Sequence, residues 1–261
     1  MDMYSVENFN LKGKKGLIIG IANTESIAYG CAKAFKALGA DLAITHLNKK
    51  SISYVAPIAE ELGADILMPC NVQNSGELEA VFDTIKQQWG QLDFVLHSIA
   101  FAPNIDLHGQ LIDSSSDGFL MAMDVSCHSF IRMSRLAAPL MTEGGSLFAM
   151  SFYGAEKVVE NYDLMGPVKS ALESSVRYLA SELGHKGIRV YCISPGPVKT
   201  RASSGLKSFD KLISDTIIRT PTQHLATIAD IGKATALMAT PAATMITGET
   251  IFIDGGHHIM G

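Results

Sequence analysis

Gly16-Leu17-Ile18-Ile19-Gly20-Ile21-Ala22-Asn23-Thr24-Glu25-Ser26-Ile27-Ala28-Tyr29-Gly30 is the stretch that decides the fold. It opens with a brief run that is apolar throughout, passes through a turn of glycine and small residues, and enters a helical pattern. A short run apolar at every position reads as a strand buried on both faces. Glycine lets a backbone come close to a pyrophosphate, and the first turn of the following helix attracts its negative charge. Ser26 stands where a helix N-cap belongs; its hydroxyl could instead reach a phosphate. The spacing is not GxGxxG, so the turn alone is equally a plain strand-to-helix connection.

The same alternation runs outward along the chain. Short apolar stretches at 42–45, 66–68, 94–96, 147–150, 190–193 and 250–253, bounded by Gly, Asp or Pro, are expected as strands. Between them, apolar residues recurring about every 3.6 positions predict helices over 26–38, 52–62, 75–89, 117–141, 166–183 and 228–240. Strands alternating with helices imply an α/β fold, a doubly wound parallel sheet with helices on both faces. No linker, repeat or low-complexity tract divides residues 1–261, so a single domain is expected. The segment from 196 to 221, GPVKTRASSGLKSFDKLISDTIIRTP, fits the alternation least. Long loops inside compact domains are usually functional. It is read as a substrate-covering lid with a short helix over 209–218.

Bulk properties narrow the function. With 261 residues, 47% of them hydrophobic, the chain can bury a sizeable core. The net charge is −5 and the lysines and arginines are scattered, which gives no footprint for nucleic acid. Cys31, Cys70, Cys127 and Cys192 lie far apart and form no metal-ligand cluster, as expected of a reduced, cytoplasmic protein. The eight histidines also lack ligand spacing, and His257-His258 suits solvent or a subunit contact better than a metal. The first residues, MDMYSVENFN, contain no apolar run, so no signal peptide is expected. No apolar stretch reaches the roughly 18 residues of a membrane span.

The candidate chemistry lies in Asn161-Tyr162-Asp163-Leu164-Met165-Gly166-Pro167-Val168-Lys169. Tyr162 and Lys169 are seven residues apart, close to two helical turns, which would put phenol and ammonium on one helix face; taken alone, the spacing suits an ordinary solvated helix face better. A fixed cation beside a phenol lowers its pKa and strengthens it as a donor to a developing oxyanion.

With these residues in view, the chain resembles the short-chain dehydrogenases/reductases and, within them, the bacterial enoyl-acyl-carrier-protein reductases. The resemblance rests on Gly20-Ile21-Ala22 followed by Ser26-Ile27-Ala28, where the wider superfamily has TGxxxGIG. It continues in His97-Ser98-Ile99-Ala100-Phe101-Ala102-Pro103, in place of NNAG, and in Asp124-Val125-Ser126, in place of an asparagine. Ser194-Pro195-Gly196-Pro197-Val198-Lys199-Thr200 and Asp254-Gly255-Gly256 complete it. It implies a single-domain Rossmann-type fold, a homotetramer packed through the helices at 117–141 and 166–183, and hydride transfer from NADH or NADPH to an enoyl thioester on acyl carrier protein.

The resemblance also implies roles. Gly20, Ala22, Ser26 and Ile27 would line the pyrophosphate and ribose, Asn71 and Val72 the adenine, and Ser98, Ile99 and Ala100 the ribose side of the cofactor. Lys169 would bind the nicotinamide ribose, Val198 the carboxamide and Thr200 the pyrophosphate. Tyr162 would donate to the substrate oxygen. Phe101, Phe152, Met165, Leu206 and Phe209 would wall an acyl chain, with Tyr153 and Tyr162 also at the substrate pocket. The second strand runs out at Thr45-His46-Leu47-Asn48-Lys49-Lys50, placing Leu47 near the adenosine ribose. No acid is there to hold a 2′-hydroxyl, and the two lysines suit a 2′-phosphate or simply a solvated helix start, so the cofactor form stays open.

Three positions depart from the pattern. Relatives usually carry a tyrosine where this chain has Phe152; its neighbour Tyr153 should point elsewhere if the backbone is extended. Ser151 is available in principle as the substrate-oxygen ligand of a carbonyl-reducing enzyme, though it precedes Tyr162 by 11 residues, closer than usual in that group. Ala100 replaces a common glycine, and its methyl is expected to narrow the space beside the nicotinamide. The rival functions are a carbonyl or hydroxysteroid-type dehydrogenase on the same fold and a catalytically silent nucleotide-binding protein.

Overall fold

The computed structural model describes residues 5–198, 200 and 209–260, with the side chains of 209–212 left out. Seven strands form one sheet: β1 (Lys15–Ile19), β2 (Asp41–His46), β3 (Ile66–Pro69), β4 (Phe94–His97), β5 (Gly145–Met150), β6 (Ile188–Pro195) and β7 (Glu249–Ile253). The order is β3-β2-β1-β4-β5-β6-β7 and every pairing is parallel. The chain winds outward from β1 to β3, returns to lay β4 beside β1, and winds the other way. That reversal opens a crevice at the carboxyl ends of β1 and β4, where open α/β sheets bind ligands.

The helices are α1 (Ile27–Ala37), α2 (Ile52–Glu61), α3 (Glu77–Gln88), α4 (Asn104–Leu107), α5 (Ser116–Met123), α6 (Ser129–Ala137), α7 (Met165–Leu183), α8 (Phe209–Arg219) and α9 (Ile228–Ala239). All the expected strands and helices are present, with ends shifted by a few residues. Two things differ. The one-turn α4 was not foreseen. The single helix expected over 117–141 is broken by a π turn at Asp124–His128 and ends in a 3₁₀ turn, Ala138–Leu140, that contains Pro139.

Successive strand residues face opposite sides of the sheet, and the two cores show it. Leu17, Ile19, Val95, Leu147 and Val190 pack with Val81, Phe130, Leu172 and Val176 of α3, α6 and α7. Ile18, Ile44, Leu96, Phe148 and Ile193 pack with Phe35, Val55 and Ile231 of α1, α2 and α9. Complete burial of each such aliphatic side chain contributes about 1.5–3 kcal/mol. On the second face α1 and α9 touch through glycine: a Cβ on Gly232 would lie 2.2 Å from the Gly30 carbonyl oxygen. That contact seats α1, and with it the turn that precedes α1.

A buried charge near the start of β6 has a local explanation. Arg189 of β6 is 9% exposed, and its guanidinium donates to the carbonyls of Met238, Ala239 and Thr240 at 3.0–3.2 Å. It satisfies carbonyls at the C-terminus of α9 that have no intrahelical partner.

Candidate active site

The turn after β1 is shaped by contact with β4. Ser98 N–H donates to Ile19 O at 2.9 Å, drawing the two chain ends together. Gly20 takes φ +114°, and a Cβ there would sit 2.1 Å from Ser98 O, so only glycine fits. Asn23 then closes the turn: its side chain accepts from Glu25 N–H, and its carbonyl accepts from Ser26 Oγ at 2.6 Å. Ser26 occupies the N-cap position with an extended backbone but makes no side-chain cap. The amides at the start of a helix have no partner one full turn back; the Ser26 carbonyl accepts from Tyr29 N–H at 3.0 Å, while its side chain takes none of them. Ala22, Ser26 and Ile27 are partly exposed beside these amides.

Two loops farther out form the other wall. Leu47, just after β2, is 54% exposed. Asn48 Oδ1 accepts the amides of Lys50 and Ser51, so the two lysines stand on an exposed turn leading into α2. After β3, Asn71 N–H donates to Glu77 at 2.7 Å, while its side chain accepts from Gln73 N–H. Val72 turns its side chain into the core, and its carbonyl accepts the Arg132 guanidinium at 2.7 Å. Val72 therefore presents backbone rather than side chain at this edge.

The end of β4 is held by the π turn. Ser126 Oγ accepts from Phe101 N–H at 2.9 Å and donates to Phe101 O at 3.1 Å. π turns recur at functional sites because the extra residue redirects a side chain; here it aims Ser126 at the segment carrying Ser98, Ile99 and Ala100. Ser98 and Ile99 are partly exposed, and Ala100 and Phe101 are exposed. Behind them His97 is fully buried, with its pKa pulled down to about 3 by burial and by the charge on Lys169. Ser129 Oγ donates to Val125 O, so the 2.7 Å contact with His97 Nε2 has histidine as donor. The ring is therefore the neutral Nε2–H tautomer.

The Tyr162–Lys169 pair corrects the sequence reading. α7 begins at Met165, so Tyr162 does not share a helix face with Lys169; it sits in the turn before the helix. Asn161 (φ 62°) and Asp163 (φ 32°) flank it in left-handed backbone. The Tyr162 ring meets the Phe152 ring edge-on, centroids 4.8 Å apart, and a Cβ on Gly154 would strike it at 2.4 Å. Lys169 is 4% exposed, and its ammonium donates to Met150 O at 2.6 Å. Burial brings its pKa down to about 8, against the opposing pull of Cys192, Cys127 and Glu173. Contrary to the expectation from sequence, the cation does not lower the pKa of the phenol. Burial pushes it up, and the charge on Glu173 pushes it further.

The residues after β5 face alternately. Ser151 is buried and donates to Glu173 Oε1 at 2.5 Å, so its hydroxyl is engaged away from a substrate. Phe152 is extended (φ −158°, ψ 150°) and faces Tyr162. Tyr153 turns the other way, its ring 5.3 Å from that of His257. Met165 is buried in a small apolar cluster with Ala102, Ala122, Leu164 and Val168, against which Tyr162 packs. Val198 and Thr200 are partly buried at the end of β6. Leu206 and the side chain of Phe209 lie outside the described residues, as does much of the expected lid. A cavity of about 380 Å³ lies elsewhere, at the end of β7, lined by Thr222, His224, Asp230, Phe252 and His258 among others.

A family profile described as Enoyl-(Acyl carrier protein) reductase matches residues 20–258. The chain belongs to that family. It is 42% identical to the NADH-dependent enoyl-[acyl-carrier-protein] reductase FabI of a Nostoc species, over 97% of this chain and 99% of the relative. Enoyl-[acyl-carrier-protein] reductase [NADH] 2 of Rhizobium meliloti is 41% identical over 95% and 93%. Among solved structures, the Anaplasma phagocytophilum reductase in complex with NAD superposes with a TM-score of 0.92, at 43% identity and 96% coverage of both chains. The Bacillus cereus enzyme with NADP⁺ and indole naphthyridinone gives 0.94 at 39% identity, covering 96% of this chain and 98% of that one.

Glu173 and the tautomer of His97 escaped the sequence reading, and Ser126 stands there as part of a motif without a role. Glu173 had a usable signal: it is an acid within the buried stripe Val168, Leu172, Val176 of α7, where a solvated residue does not belong. The π turn had none, because the helical period persists through it.

Proposed function

We infer that this chain is an enoyl-[acyl-carrier-protein] reductase, which reduces the trans-2 double bond of an enoyl thioester with NADH or NADPH in fatty acid synthesis. The observation that carries the reading is the placement of Tyr162 and the anchored Lys169 at the carboxyl edge of the sheet, in a chain that matches this family nearly end to end. The crevice between β1 and β4 suits a dinucleotide: the Gly20 turn has no room for a side chain, and the Ser26 side chain caps none of the α1 amides. Gly20, Ala22, Ser26, Ile27 and Thr200 would hold the pyrophosphate. Leu47, Asn71 and Val72 would hold the adenosine half, and Ser98, Ile99, Ala100, Lys169 and Val198 the nicotinamide half. The bound nicotinamide supplies a hydride.

Tyr162 donates a hydrogen bond to the thioester oxygen as negative charge gathers there, which is worth about 3–4 kcal/mol for a well-placed donor. A raised phenol pKa serves this task, because the proton stays on the oxygen throughout the neutral range. Lys169 fixes the cofactor ribose and supplies a positive field, its direction set by the Met150 carbonyl. Phe101, Phe152, Met165, Leu206 and Phe209 would line the acyl chain beneath the lid about 196–221. Carbonyl reduction is disfavoured because Ser151 is engaged by Glu173.

A homotetramer fits the exposed apolar residues Leu120 and Met121 on α5 and Tyr178 on α7, the two helices assigned to subunit contacts. Sedimentation tests it. The buried thiols of all four cysteines suit a cytoplasmic protein, and no described helix is long and apolar enough to cross a membrane. The deciding assay offers enoyl thioesters, 3-ketoacyl thioesters and steroid ketones in turn, with NADH and with NADPH. Cofactor oxidation with enoyl thioesters is expected, and Tyr162→Phe should slow it about 10²-fold or more. Oxidation with ketones alone would overturn the reading.

A further inference from the structure

We propose that Glu173 is a positioning residue for Lys169, acting through Ser151 to lock the end of β5 against α7. The inference rests on the reading of Lys169 as a cofactor ligand. Glu173 follows Lys169 by one turn on the buried face of α7 and is 5% exposed. A carboxylate stripped of water is costly unless it is hydrogen-bonded. Ser151 Oγ supplies a bond at 2.5 Å, and the Thr250 hydroxyl of β7 reaches it as well. The residue just before Ser151 is Met150, whose carbonyl accepts the Lys169 ammonium at 2.6 Å. Consecutive residues at one strand end are thus tied to residues one turn apart on one helix. A single tie would let the strand end pivot. The pair fixes its direction, and so fixes where the Met150 carbonyl aims the ammonium and where Phe152 meets Tyr162.

The same carboxylate acts on charge. The groups around it are Lys169 and Arg177 on α7, Glu156 in the loop after β5, Tyr162 in the turn before α7, and Cys192 on β6; Cys127 of the π turn faces Lys169 too. Burial raises the pKa of Glu173, and the Ser151 bond opposes that rise. Its negative charge in turn favours protonated Lys169 against burial. Glu173→Gln keeps the volume and an acceptor for Ser151 but loses the charge, so it should lower Lys169 further. Ser151→Ala keeps the charge and loses the tie.

The experiment measures the NADH dissociation constant of cofactor-free protein by fluorescence titration across pH 6–10, with melting temperature alongside. For Glu173→Gln, the alkaline loss of binding should begin at lower pH than in the wild type. For Ser151→Ala, the dissociation constant at neutral pH should rise about 3- to 10-fold, and Ser151→Thr should restore it in part. Both variants melting lower while keeping the wild-type dissociation constant and pH profile would overturn the proposal, since that is what a packing role alone produces. If Glu173→Gln does not fold, the Ser151→Ala and Ser151→Thr pair decides. Lys169→Met separates the two levels: wild-type binding and turnover in that variant would refute the ligand reading of Lys169 itself, whereas a defect there with silent Glu173 and Ser151 variants refutes only the positioning role.

Discussion

The turn after β1 and the turn before α7 both deliver functional groups to the carboxyl edge of the sheet, and they place backbone strain differently. The first offers main-chain amides. Its demanding position, Gly20 at φ +114°, is glycine, and a side chain there would collide with Ser98 O. The second offers a side chain, Tyr162, and puts the left-handed backbone on the residues either side of it, Asn161 and Asp163. Those are the non-glycine types that best tolerate such φ values. Where the group presented is the backbone, the side chain is deleted. Where it is a side chain, the neighbours carry the strain.

The harshest way to break this comparison is Gly20→Ala. The added methyl meets backbone rather than a flexible side-chain end, so neither turn partner can yield cheaply. The expected cost is about 2–4 kcal/mol of stability from overpacking and strain. In a chain of this size that is a fall of roughly 4–16 °C in melting temperature, with NADH binding lost by fluorescence titration. Retained binding would show that the turn can relax away from β4.

The contrast also explains what could be read from sequence. The first turn was legible because strand, glycine and helix start are contiguous, and the constraint leaves its mark as a glycine. The strands were legible because burial on both faces leaves runs apolar throughout, and most helices because one buried face leaves an apolar period of about 3.6 residues. The helix face expected for Tyr162 and Lys169 was wrong because spacing says nothing about where a helix begins. Left-handed Asn161 and Asp163 look like any turn residues. The expected lowering of the phenol's pKa failed because it took charge into account and not desolvation, which is the larger influence on both Tyr162 and Lys169. Alternation did predict that Phe152 and Tyr153 diverge, because it depends only on extended backbone.

The regions should also part under pH. Amides at the first turn do not titrate, whereas Lys169 does, near pH 8. With protonated Lys169 required, kcat/KM should fall roughly tenfold for each unit above about pH 8, while the fold persists. The sign for stability is opposite. The folded-state pKa of Lys169 lies below its ordinary 10.5, so above about pH 8 the unfolded chain binds more protons and this group's contribution to stability rises. From about pH 9 the buried thiols Cys31 and Cys70, raised to about 12, pull the other way. Melting temperature that holds or rises between pH 8 and 9 while kcat/KM drops would sharpen the contrast. Activity flat to pH 9.5 would remove the requirement for the charge.

The mildest test acts on the strain beside Tyr162. Asn161→Gly relieves the left-handed backbone but frees the unfolded chain, and these effects offset to within about 0.5 kcal/mol. Asn161→Ala adopts φ 62° less readily than asparagine and gains nothing in return. It should cost about 1 kcal/mol, or roughly 2–4 °C in melting temperature. If the strain serves only to aim the phenol, Gly should keep kcat within about two-fold while Ala loses more, because a residue that resists the conformation tilts the Tyr162 ring off Phe152 and Gly154. Measuring kcat and melting temperature for both variants gives the order wild type, Gly, Ala. The reverse order, with Ala the milder change, would mean that the Asn161 side chain matters for some reason other than its tolerance of the backbone, and the second turn would no longer mirror the first.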